Sequence, residues 1–355
     1  MKAIILIGGG TGGHCIPMVA MYKKFLKEKV SCTILTDYRG AFFFKSLNQN
    51  DVIVLKTGSK AVSRLEQFIS FPLIIIQALV LLLKIKPYHI IGFGGFLTLP
   101  FMLYASFIGI NISIHEANAV IGKANRILAK KSKNIFLTFK ETRMLDSKFI
   151  NKSSCVGLPL REEMIKFNNY KQTSNKIIIS VIGGSQGSNT LANEVPMALI
   201  KFQNLVGKNI FVYHQCRQED LKKIKHIYRA FKIKHEVSNY FNDMPRKIIS
   251  SNMIVSRSGS STINEIITAQ KPSVLIPFPY AVDDHQLYNA KILKSLSCSE
   301  IISNNRLNSN ILSNCLLKIY KNPDKIKYIH QKLGRFKHIN SSLQMLNIIE
   351  NTNDN

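Results

Sequence analysis

The chain of 355 residues contains no tryptophan, few acidic residues and no paired cysteine motif. Its 21 Asp and Glu face 48 Lys and Arg, and the net charge of +27 favours anionic partners such as phosphorylated substrates or acidic lipids. Lys, Asn and Ile are abundant along the whole chain, so a biased genome is an equally good explanation for part of this excess. The six cysteines form no CxxC pair and no cluster with zinc spacing, which favours reduced thiols in the cytosol.

The sequence also lacks an uninterrupted apolar run of the roughly 20 residues that a spanning helix needs. No signal peptide is expected, because the apolar residues 3–7 run directly into glycines. The longest apolar stretch, 68–83, contains Pro72 and Gln77. It is interpreted as a helix packed on a sheet, as such a helix that also touches a bilayer, or as a span. The basic residues that could meet anionic headgroups nearby are Lys84, Lys86, Lys123, Arg126, Lys130, Lys131 and Lys133.

A run of β-branched residues that ends in glycines occurs twice, at 2–14 and at 176–188, and only the first copy ends in a histidine, His14. Each copy is typical of a buried parallel strand that feeds a tight turn and a helix. Two such units predict two doubly wound α/β domains with a cleft between them. We place the domains at 1–160 and 161–340, followed by a C-terminal tail at 341–355. The chain from about 323 onward is Lys-rich and expected to be helical, and its last residues, 351–355, should fray. Strands are expected at 3–7, 31–35, 52–55, 89–91, 111–114, 135–138 and 154–157, and then at 177–182, 209–213, 233–237, 253–256, 273–277 and 299–302.

Glycine loops between strand and helix let backbone N–H groups approach an anion or a polar ligand closely. A third loop of this kind follows the predicted strand at 89–91, in residues 92–95. The first loop is not a Walker loop, and no acidic residue is clearly placed to make it a dinucleotide fingerprint. The three loops together predict a ligand site at the carboxyl edges of two sheets.

Two segments of the second half are rich in hydrogen-bonding side chains. In the segment 255–266, small hydroxyl residues open a helix, where they can cap it or donate to a phosphate. The carboxylate of Glu265, one turn further, can accept hydrogen bonds from two ribose hydroxyls. The alternative is that Glu265 is the acidic partner in a capping box. The segment 277–290 brings Asp284, and also Gln286 and Asn289, which share a helix face. A nucleotide site followed by a sugar site is the order expected for a nucleotide-sugar donor.

These residues together resemble the MurG family of bacterial N-acetylglucosaminyltransferases. The resemblance runs from residue 2 to roughly 340 in the right order and spacing, and it rests on the segments 9–14, 115–118, 183–187, 257–259 and 284–286 and on Glu265. It implies a GT-B fold, in which two Rossmann-like doubly wound domains are separated by a deep cleft, the first binding the acceptor and the membrane and the second the donor. The implied donor is UDP-N-acetylglucosamine (UDP-GlcNAc). The implied acceptor is undecaprenyl-diphosphate-linked N-acetylmuramoyl-pentapeptide (lipid I), and the product is lipid II for peptidoglycan.

The resemblance further implies a peripheral protein at the cytoplasmic face of the bacterial inner membrane, held there by the apolar segment 68–83 and the nearby Lys and Arg. No nucleic-acid partner and no cofactor are expected. Residues Leu158, Ala117 and Phe96 depart from the family's usual Asn, Gln and Tyr, which puts fine acceptor contacts in doubt.

Site residues follow from the resemblance position by position. Thr11, Gly12, Gly13 and Asn118 would line the donor sugar's side, and Arg161 and Ser185 would contact the diphosphate or its surroundings. Phe241 stands at the uracil-contacting position and would act mainly through backbone atoms. The nucleotide would be held by Ser260, Ser261, Thr262, Ile263, Asn264 and Glu265, with Glu265 on the ribose, and the sugar hydroxyls by Gln286 and Asn289.

The family's donor is α-linked and its product β-linked, which implies one inverting displacement. His14 is the only ionisable side chain in the first glycine loop, and a histidine suits a general base near neutral pH. The alternative for His14 is a purely structural role in ordering the loop. His115 is the second candidate for the base, and its alternative is a structural role beside Glu116. No catalytic metal is predicted, because a metal-binding Asp-x-Asp is missing. The charge of UDP would be met by a helix dipole, backbone donors, Ser/Thr and Arg.

Other functions remain open for this sequence. Another GT-B transferase or a UDP-GlcNAc 2-epimerase shares the pattern of the donor domain, and an epimerase would need no lipid acceptor. A catalytically idle, membrane-associated binding protein of the same fold is the alternative from a different class. The joint presence of His14, Glu265 and Gln286 argues against such decay.

Overall fold

The structure is a computed structural model that describes residues 3–56, 64–166, 176–183, 188–336 and 340–353. The chain divides into two compact units. The first unit comprises Met1–Arg161 together with His338–Asn355, and the second comprises Glu162–Lys337. Each unit is built on a parallel sheet that helices cover, as the repeated strand-and-glycine pattern predicts.

The first unit contains a seven-stranded sheet in the order β3-β2-β1-β4-β5-β6-β7. Its strands are short and rich in β-branched residues, and β1 and β4 are buried along their whole length. Such near-continuous apolar strands are typical of parallel sheets that are covered on both faces. The strands are β1 (Ile4–Ile7), β2 (Cys32–Thr36), β3 (Val52–Val54), β4 (His89–Gly92), β5 (Asn111–Glu116), β6 (Asn134–Leu137) and β7 (Ser153–Cys155).

Helices pack on both faces of this sheet. One core cluster joins the sheet to the second, third and fourth helices, and another joins it to the first helix and the last helix of the chain. The helices of the first unit are α1 (Gly12–Lys27), α2 (Arg64–Ile85), α3 (Thr98–Phe107) and α4 (Lys123–Leu128).

The second unit contains a six-stranded sheet in the order β10-β9-β8-β11-β12-β13. The strands are β8 (Ile177–Ile182), β9 (Ile210–Gln215), β10 (Lys234–Ser238), β11 (Met253–Ser256), β12 (Ser273–Leu275) and β13 (Ser299–Ile301). The helices are α5 (Glu162–Lys166), α6 (Asn189–Val206), α7 (Leu221–Ala230), α8 (Met244–Ser250), α9 (Ser260–Ala269), α10 (His285–Ser295), α11 (Ser309–Tyr320) and α12 (Pro323–Gly334). All the strands predicted from the sequence are confirmed, in both units.

The segment 341–355, which the sequence sets apart as a C-terminal tail, contains helix α13 (Ser341–Asn353), which belongs to the first unit. Met345 and Ile349 are fully buried in the same core cluster as α1. The Thr352 hydroxyl also donates a hydrogen bond to Oδ1 of Asn134 at 3.4 Å. Met345 and Ile349 are spaced at i and i+4, so they lie on one face of the helix.

Helix α2 contains the apolar segment 68–83, and its side chains are described from Phe71 onward. One side of the helix packs on the sheet, where Ile74, Ala78 and Leu82 are buried. The opposite side is apolar as well but exposed, and it consists of Leu73, Ile76, Leu79, Val80 and Leu83. Within the described ranges, none of the helices combines the length and the apolar character needed to cross a membrane.

Candidate active site

The strand order of each sheet reverses beside the strand that precedes a glycine loop. In the first unit the reversal lies between β1 and β4, and in the second between β8 and β11. Open parallel sheets bind ligands outside the carboxyl ends of the strands at this point. The first and third glycine loops follow β1 and β4, and the Arg257–Gly259 loop follows β11. The second glycine loop, with Ser185, lies outside the described residues.

Asp37, which directly follows β2, holds the first glycine loop. Its Oδ1 accepts hydrogen bonds from the backbone N–H groups of Gly10 at 3.0 Å and Gly40 at 2.7 Å. Its Oδ2 accepts from the guanidinium of Arg39 at 3.1 Å. The carboxylate therefore shapes the loop that opens α1. Sequence reasoning missed this role, although an acidic residue at the end of a second strand is a recurrent signal in such folds.

The side chain of His14 lies in the first turn of α1 and reaches back to the loop that precedes it. Its Nδ1 is 3.0 Å from the carbonyl oxygen of Gly9. A carbonyl only accepts, so Nδ1 must carry the proton, and in the neutral ring Nε2 then keeps its lone pair. Nε2 has no hydrogen-bond partner in the part of the chain that the structure describes. This is the tautomer that a general base acting through Nε2 requires.

The third glycine loop lies against the first one. Gly94 and Gly95 both have φ of +96°, a conformation that other residues rarely adopt. A Cβ atom on Gly95 would lie 3.0 Å from the carbonyl oxygen of Gly9, and one on Gly94 would lie 3.1 Å from Nε2 of His14. The missing side chains therefore leave room for the backbone of the first loop and for the face of the imidazole.

His115, the runner-up base, is fully buried. Its Nε2 donates to the carbonyl of Gly157 at 3.0 Å, and its ring lies 5.3 Å from that of Phe93. Burial lowers the pKa of His115 to about 4, against a smaller opposing effect of the Gly157 hydrogen bond and with a minor contribution from His14. A buried and neutral ring is suited to a structural role and not to proton transfer with a bound substrate.

Glu116 organises the loop that carries Asn118. Its Oε1 accepts from the backbone N–H of Asn118 at 2.9 Å, and its Oε2 accepts from the N–H of Gly122 at 2.8 Å and from the amide of Asn125 at 2.9 Å. The half-buried Asn118 is thereby fixed just beyond the carboxyl end of β5. Of the departures from the family pattern, Ala117 and Leu158 are buried and Phe96 is half-buried.

Cys15 follows His14 but is fully buried. Burial, with a smaller contribution from the charge of Asp37, raises the pKa of its thiol to about 12. Only the thiolate is a good nucleophile, so this cysteine is chemically quiet at neutral pH.

In the second unit, helix α9 starts without a side-chain cap. Its N-cap residue is Gly259, and Glu265 is the sixth residue of the helix. A capping box needs its acidic side chain at the third helical position, so the capping-box reading of Glu265 is wrong. The uncapped N–H groups and the helix dipole remain available to an anion.

The residues predicted to hold the nucleotide lie in the first turns of α9, at different depths. Ser261 and Thr262 are half-buried, and Ser260 and Glu265 are buried with 4% and 6% of their surface exposed. Ile263 and Asn264 are fully buried, and the Asn264 amide donates to the carbonyl of Ser260 at 2.8 Å. The Ile263 N–H donates to the Gly259 carbonyl at 3.0 Å, so Ile263 and Asn264 support the start of the helix.

Ser258 ties the start of α9 to the start of α10. Oε1 of Gln286 accepts from the N–H groups of Ser258 at 3.3 Å and of Phe278 at 3.0 Å, and the Ser258 hydroxyl donates to the Gln286 carbonyl at 2.7 Å. With Oε1 engaged, the half-buried Gln286 has its amide NH₂ left as a donor for sugar oxygens. Asn289 is fully buried and donates to the Ser258 carbonyl at 3.1 Å, so here it supports the loop.

Arg257 is a buried cation at the carboxyl end of β11. Its guanidinium donates to the carbonyls of Ile276 at 3.0 Å and Pro277 at 3.1 Å, and to the hydroxyl of Ser188 at 2.6 Å. Burial lowers its pKa to about 10, so it stays charged at neutral pH. Sequence reasoning had given no specific contact to Arg257, since its partners lie far along the chain.

The remaining predicted residues lie apart from these clusters in sequence. Phe241 is buried in the loop between β10 and α8, and Arg161 is half-buried at the end of the first unit. The structure thus groups Thr11, Gly12, Gly13 and His14 at the start of α1, and Ser260 to Glu265 with Gln286 and Asn289 around Ser258.

Comparison with known proteins gives matches to both halves of the chain. Residues 4–137 match the N-terminal domain of glycosyltransferase family 28, and residues 178–343 match the C-terminal domain of that family. The chain is 31% identical over 331 residues to the UDP-N-acetylglucosamine–N-acetylmuramyl-(pentapeptide) pyrophosphoryl-undecaprenol N-acetylglucosamine transferase of Paramagnetospirillum magneticum. That alignment covers 91% of this chain and 89% of the relative.

Solved structures are similar over almost the whole chain. MurG of Acinetobacter baumannii has a TM-score of 0.78 at 23% identity, with 99% of this chain and 100% of that chain covered. A UDP-GlcNAc 2-epimerase of Neisseria meningitidis, solved with UDP-GlcNAc bound, has a TM-score of 0.70 at 12% identity, with 99% and 100% covered. At these identities the likeness shows the fold, which is that of GT-B proteins.

Proposed function

Because this chain belongs to glycosyltransferase family 28, among the N-acetylglucosamine transferases of peptidoglycan synthesis, we propose that it converts lipid I to lipid II. The donor is UDP-GlcNAc, and the acceptor is the 4-hydroxyl of undecaprenyl-diphosphate-linked N-acetylmuramoyl-pentapeptide. The second unit takes the donor, and the first unit takes the acceptor.

The observation that carries the chemistry is the distance of 3.0 Å between Nδ1 of His14 and the Gly9 carbonyl oxygen, from which the tautomer of His14 follows. Its Nδ1–H is engaged by the Gly9 carbonyl, which leaves Nε2 as the acceptor of a proton. In the reaction, the acceptor oxygen attacks the anomeric carbon of GlcNAc and its proton passes to Nε2. The bond from that carbon to the β-phosphate oxygen breaks, and its electron pair leaves with UDP. The Gly9 carbonyl then stabilises the imidazolium through Nδ1–H.

The charge that develops on UDP is met by groups of the second unit. The uncapped N-terminus of α9 offers backbone N–H groups. Thr262 is half-buried, and the Ser261 hydroxyl is buried without a hydrogen-bond partner among the described residues, so it suits a phosphate oxygen. Arg257 keeps a positive charge beside that helix start and adds electrostatic stabilisation. Glu265 accepts the ribose hydroxyls, and Gln286 donates to oxygens of the sugar.

The lipid-linked acceptor places the first unit at a membrane. The exposed apolar side of α2, with Ile76, Val80 and Leu83 each about 60% exposed, is the surface proposed to enter the bilayer interface. Lys84 and Lys86 stand at its end and suit anionic headgroups. We place this contact at the cytoplasmic face of the inner membrane, where the nucleotide sugar is available.

One assay tests the proposal against its alternatives. The protein is incubated with labelled UDP-GlcNAc, with and without lipid I, and the products are separated. Labelled lipid II that forms only with lipid I is the expected result. An epimerase would instead convert the nucleotide sugar without lipid I, and an idle binding protein would return the donor unchanged. Either outcome contradicts the proposed reaction.

A further inference from the structure

The ammonium group of Lys247, in the first turn of α8, contacts four groups of the second unit at once. It lies 2.6 Å from Oε2 of Glu236 and 3.3 Å from Oδ2 of Asp243. It also lies 4.4 Å from the ring centroid of Tyr213 and 4.8 Å from that of Phe241. Only 9% of the Lys247 side chain is exposed, whereas the side chains of Glu236 and Asp243 are about half exposed, so it is the contact with the buried Phe241 ring that is sheltered from water. Sheltered cation–π contacts are stronger than exposed ones.

The backbone of Lys247 is anchored at the opposite end. Its carbonyl accepts hydrogen bonds from the hydroxyls of Ser251 at 2.7 Å and of Ser180, in the middle of β8, at 3.3 Å. Burial alone would lower the pKa of Lys247, but the bonds to Glu236 and Asp243 raise it above the ordinary lysine value. Lys247 therefore connects β8, through its backbone carbonyl, with the loop that precedes α8, through its ammonium group.

Phe241 is the residue of this loop whose ring contacts the Lys247 ammonium. The residue is 9% exposed and its ring lies near the ammonium, so a ligand meets the backbone here and not the ring face. The Phe241 carbonyl accepts from the N–H of Met244 at 3.4 Å. Its own N–H has no partner within the described ranges, which leaves a donor for a carbonyl oxygen of a base. The position of this N–H depends on what fixes the ring.

We propose that Lys247 is a positioning residue for the donor's uracil: its ammonium pins Phe241 and Asp243, so that the Phe241 backbone is held where it binds the base. This inference rests on the proposed function, with UDP-GlcNAc as the donor, and on the family resemblance, which gives Phe241 the uracil-contacting position. It assigns to Lys247 a share of donor affinity and none of the chemistry. The glycosyl-transfer step is therefore expected to be indifferent to Lys247 once the donor is bound.

The test replaces Lys247 with methionine, which keeps the length of the side chain and removes the charge. We expect the Kd of UDP, measured by calorimetry, and the KM of UDP-GlcNAc to rise about 5- to 20-fold, which lies between the effects of an exposed and of a fully desolvated cation–π contact. The kcat with lipid I should stay within about 2-fold. Lys247→Arg keeps the cation and should recover most of the affinity. Lys222→Met, on the exposed side of α7, is the matched control and should behave as the unchanged protein.

A base-dependent readout separates positioning from general loosening of the unit. If Lys247 acts through the uracil, Lys247→Met weakens UDP much more than ADP, so the preference for UDP falls. An equal loss for both nucleotides, an unchanged Kd for UDP, or a fall in kcat alone would overturn the inference. Should Lys247→Met not fold, Phe241→Leu removes the ring and leaves the ammonium; unchanged UDP affinity there would also overturn it. Failure of the unchanged protein to bind UDP would instead contradict the proposed function.

Discussion

Nε2 of His14 lies 3.1 Å from the position that a Cβ atom would occupy on Gly94. The third glycine loop therefore lies directly over the imidazole whose tautomer Gly9 sets. The two loops meet although about 80 residues separate them in the sequence, because β1 and β4 are neighbours in the sheet. Access of a substrate to Nε2 therefore depends on both glycine loops, and a substitution in each loop can test this.

His14→Ala should leave UDP binding within about 2-fold and lower turnover by roughly two decades or more, because the general base is lost. His14→Asn is the sharper variant, since its amide NH₂ can still donate to the Gly9 carbonyl while the basic nitrogen is gone. If His14 only orders the loop, His14→Asn would restore turnover. If it is the base, His14→Asn stays as slow as His14→Ala. Turnover is measured with labelled donor and lipid I, with His226→Ala on the exposed side of α7 as control.

Gly94→Ala should abolish most of the turnover, because its Cβ would press on the His14 ring. Gly109 offers a matched control: its φ is +86°, close to the +96° of Gly94, but a Cβ there meets nothing within 4 Å. Both variants should lose about 1–2 kcal/mol from the left-handed backbone, and Gly94→Ala should lose more because of the contact with His14. Both melting temperatures would therefore fall, while turnover falls only in Gly94→Ala. Equal turnover in the two variants would contradict a role for this contact.

The strands were predictable because runs of Ile and Val bounded by glycines and polar residues are a local signal. The positions of the candidate site residues beside these strands follow from the same signal, since loops at the carboxyl ends of parallel strands lie at one edge of the sheet; their roles stay predictions. The packing of α13 was not predictable, because the stripe of Met345 and Ile349 is brief and its partner helix is at the other end of the chain.

Contacts between distant residues account for the other differences. Gln286 and Asn289 share a helix face, as their spacing requires, but Asn289 is turned to the Ser258 carbonyl and is buried. The roles of Asp37 and Arg257 depend on partners 27 and 69 residues away, at Gly10 and Ser188. The end of the second strand gives a local signal for Asp37, but no local pattern points to the partners of Arg257. Sequence reasoning therefore predicts the loops and misses the side chains that fix them.

The exposed apolar side of α2 makes a prediction about membrane binding. Ile76→Ser combined with Val80→Ser should weaken partitioning to vesicles that contain phosphatidylglycerol by about 10-fold or more, because two large side chains no longer bury apolar surface. Sedimentation with the vesicles measures the effect, and turnover on a water-soluble acceptor analogue should not change. Phe231→Ser, at an exposed phenylalanine of the second unit, serves as the control. Unchanged sedimentation of the double variant would remove α2 from the membrane contact.

Three buried histidines predict that the fold is sensitive to mild acid. Burial lowers the pKa of His89 to about 4, with a smaller effect of Lys133, and burial lowers that of His214 to about 3. His115, at about 4, behaves likewise. In the unfolded chain these groups titrate near 6.5, so between pH 6.5 and 4 the unfolded state binds more protons than the folded one. The contribution of these neutral histidines to the free energy of unfolding is complete above pH 6.5 and is lost as the pH falls towards 4.

Each of these histidines should lower the free energy of unfolding of its unit by about 1.4 kcal/mol per pH unit within that window. His89 and His115 belong to the first unit and His214 to the second, so the first unit should lose stability more steeply. Urea unfolding at pH 7.5, 6.5, 5.5 and 4.5 measures this, followed by circular dichroism because the chain has no tryptophan. His214→Leu should flatten the dependence of the second unit by one proton, even though losing the bond to the Tyr228 hydroxyl lowers stability at every pH. A slope that stays the same in His214→Leu would show that this histidine is protonated in the folded state.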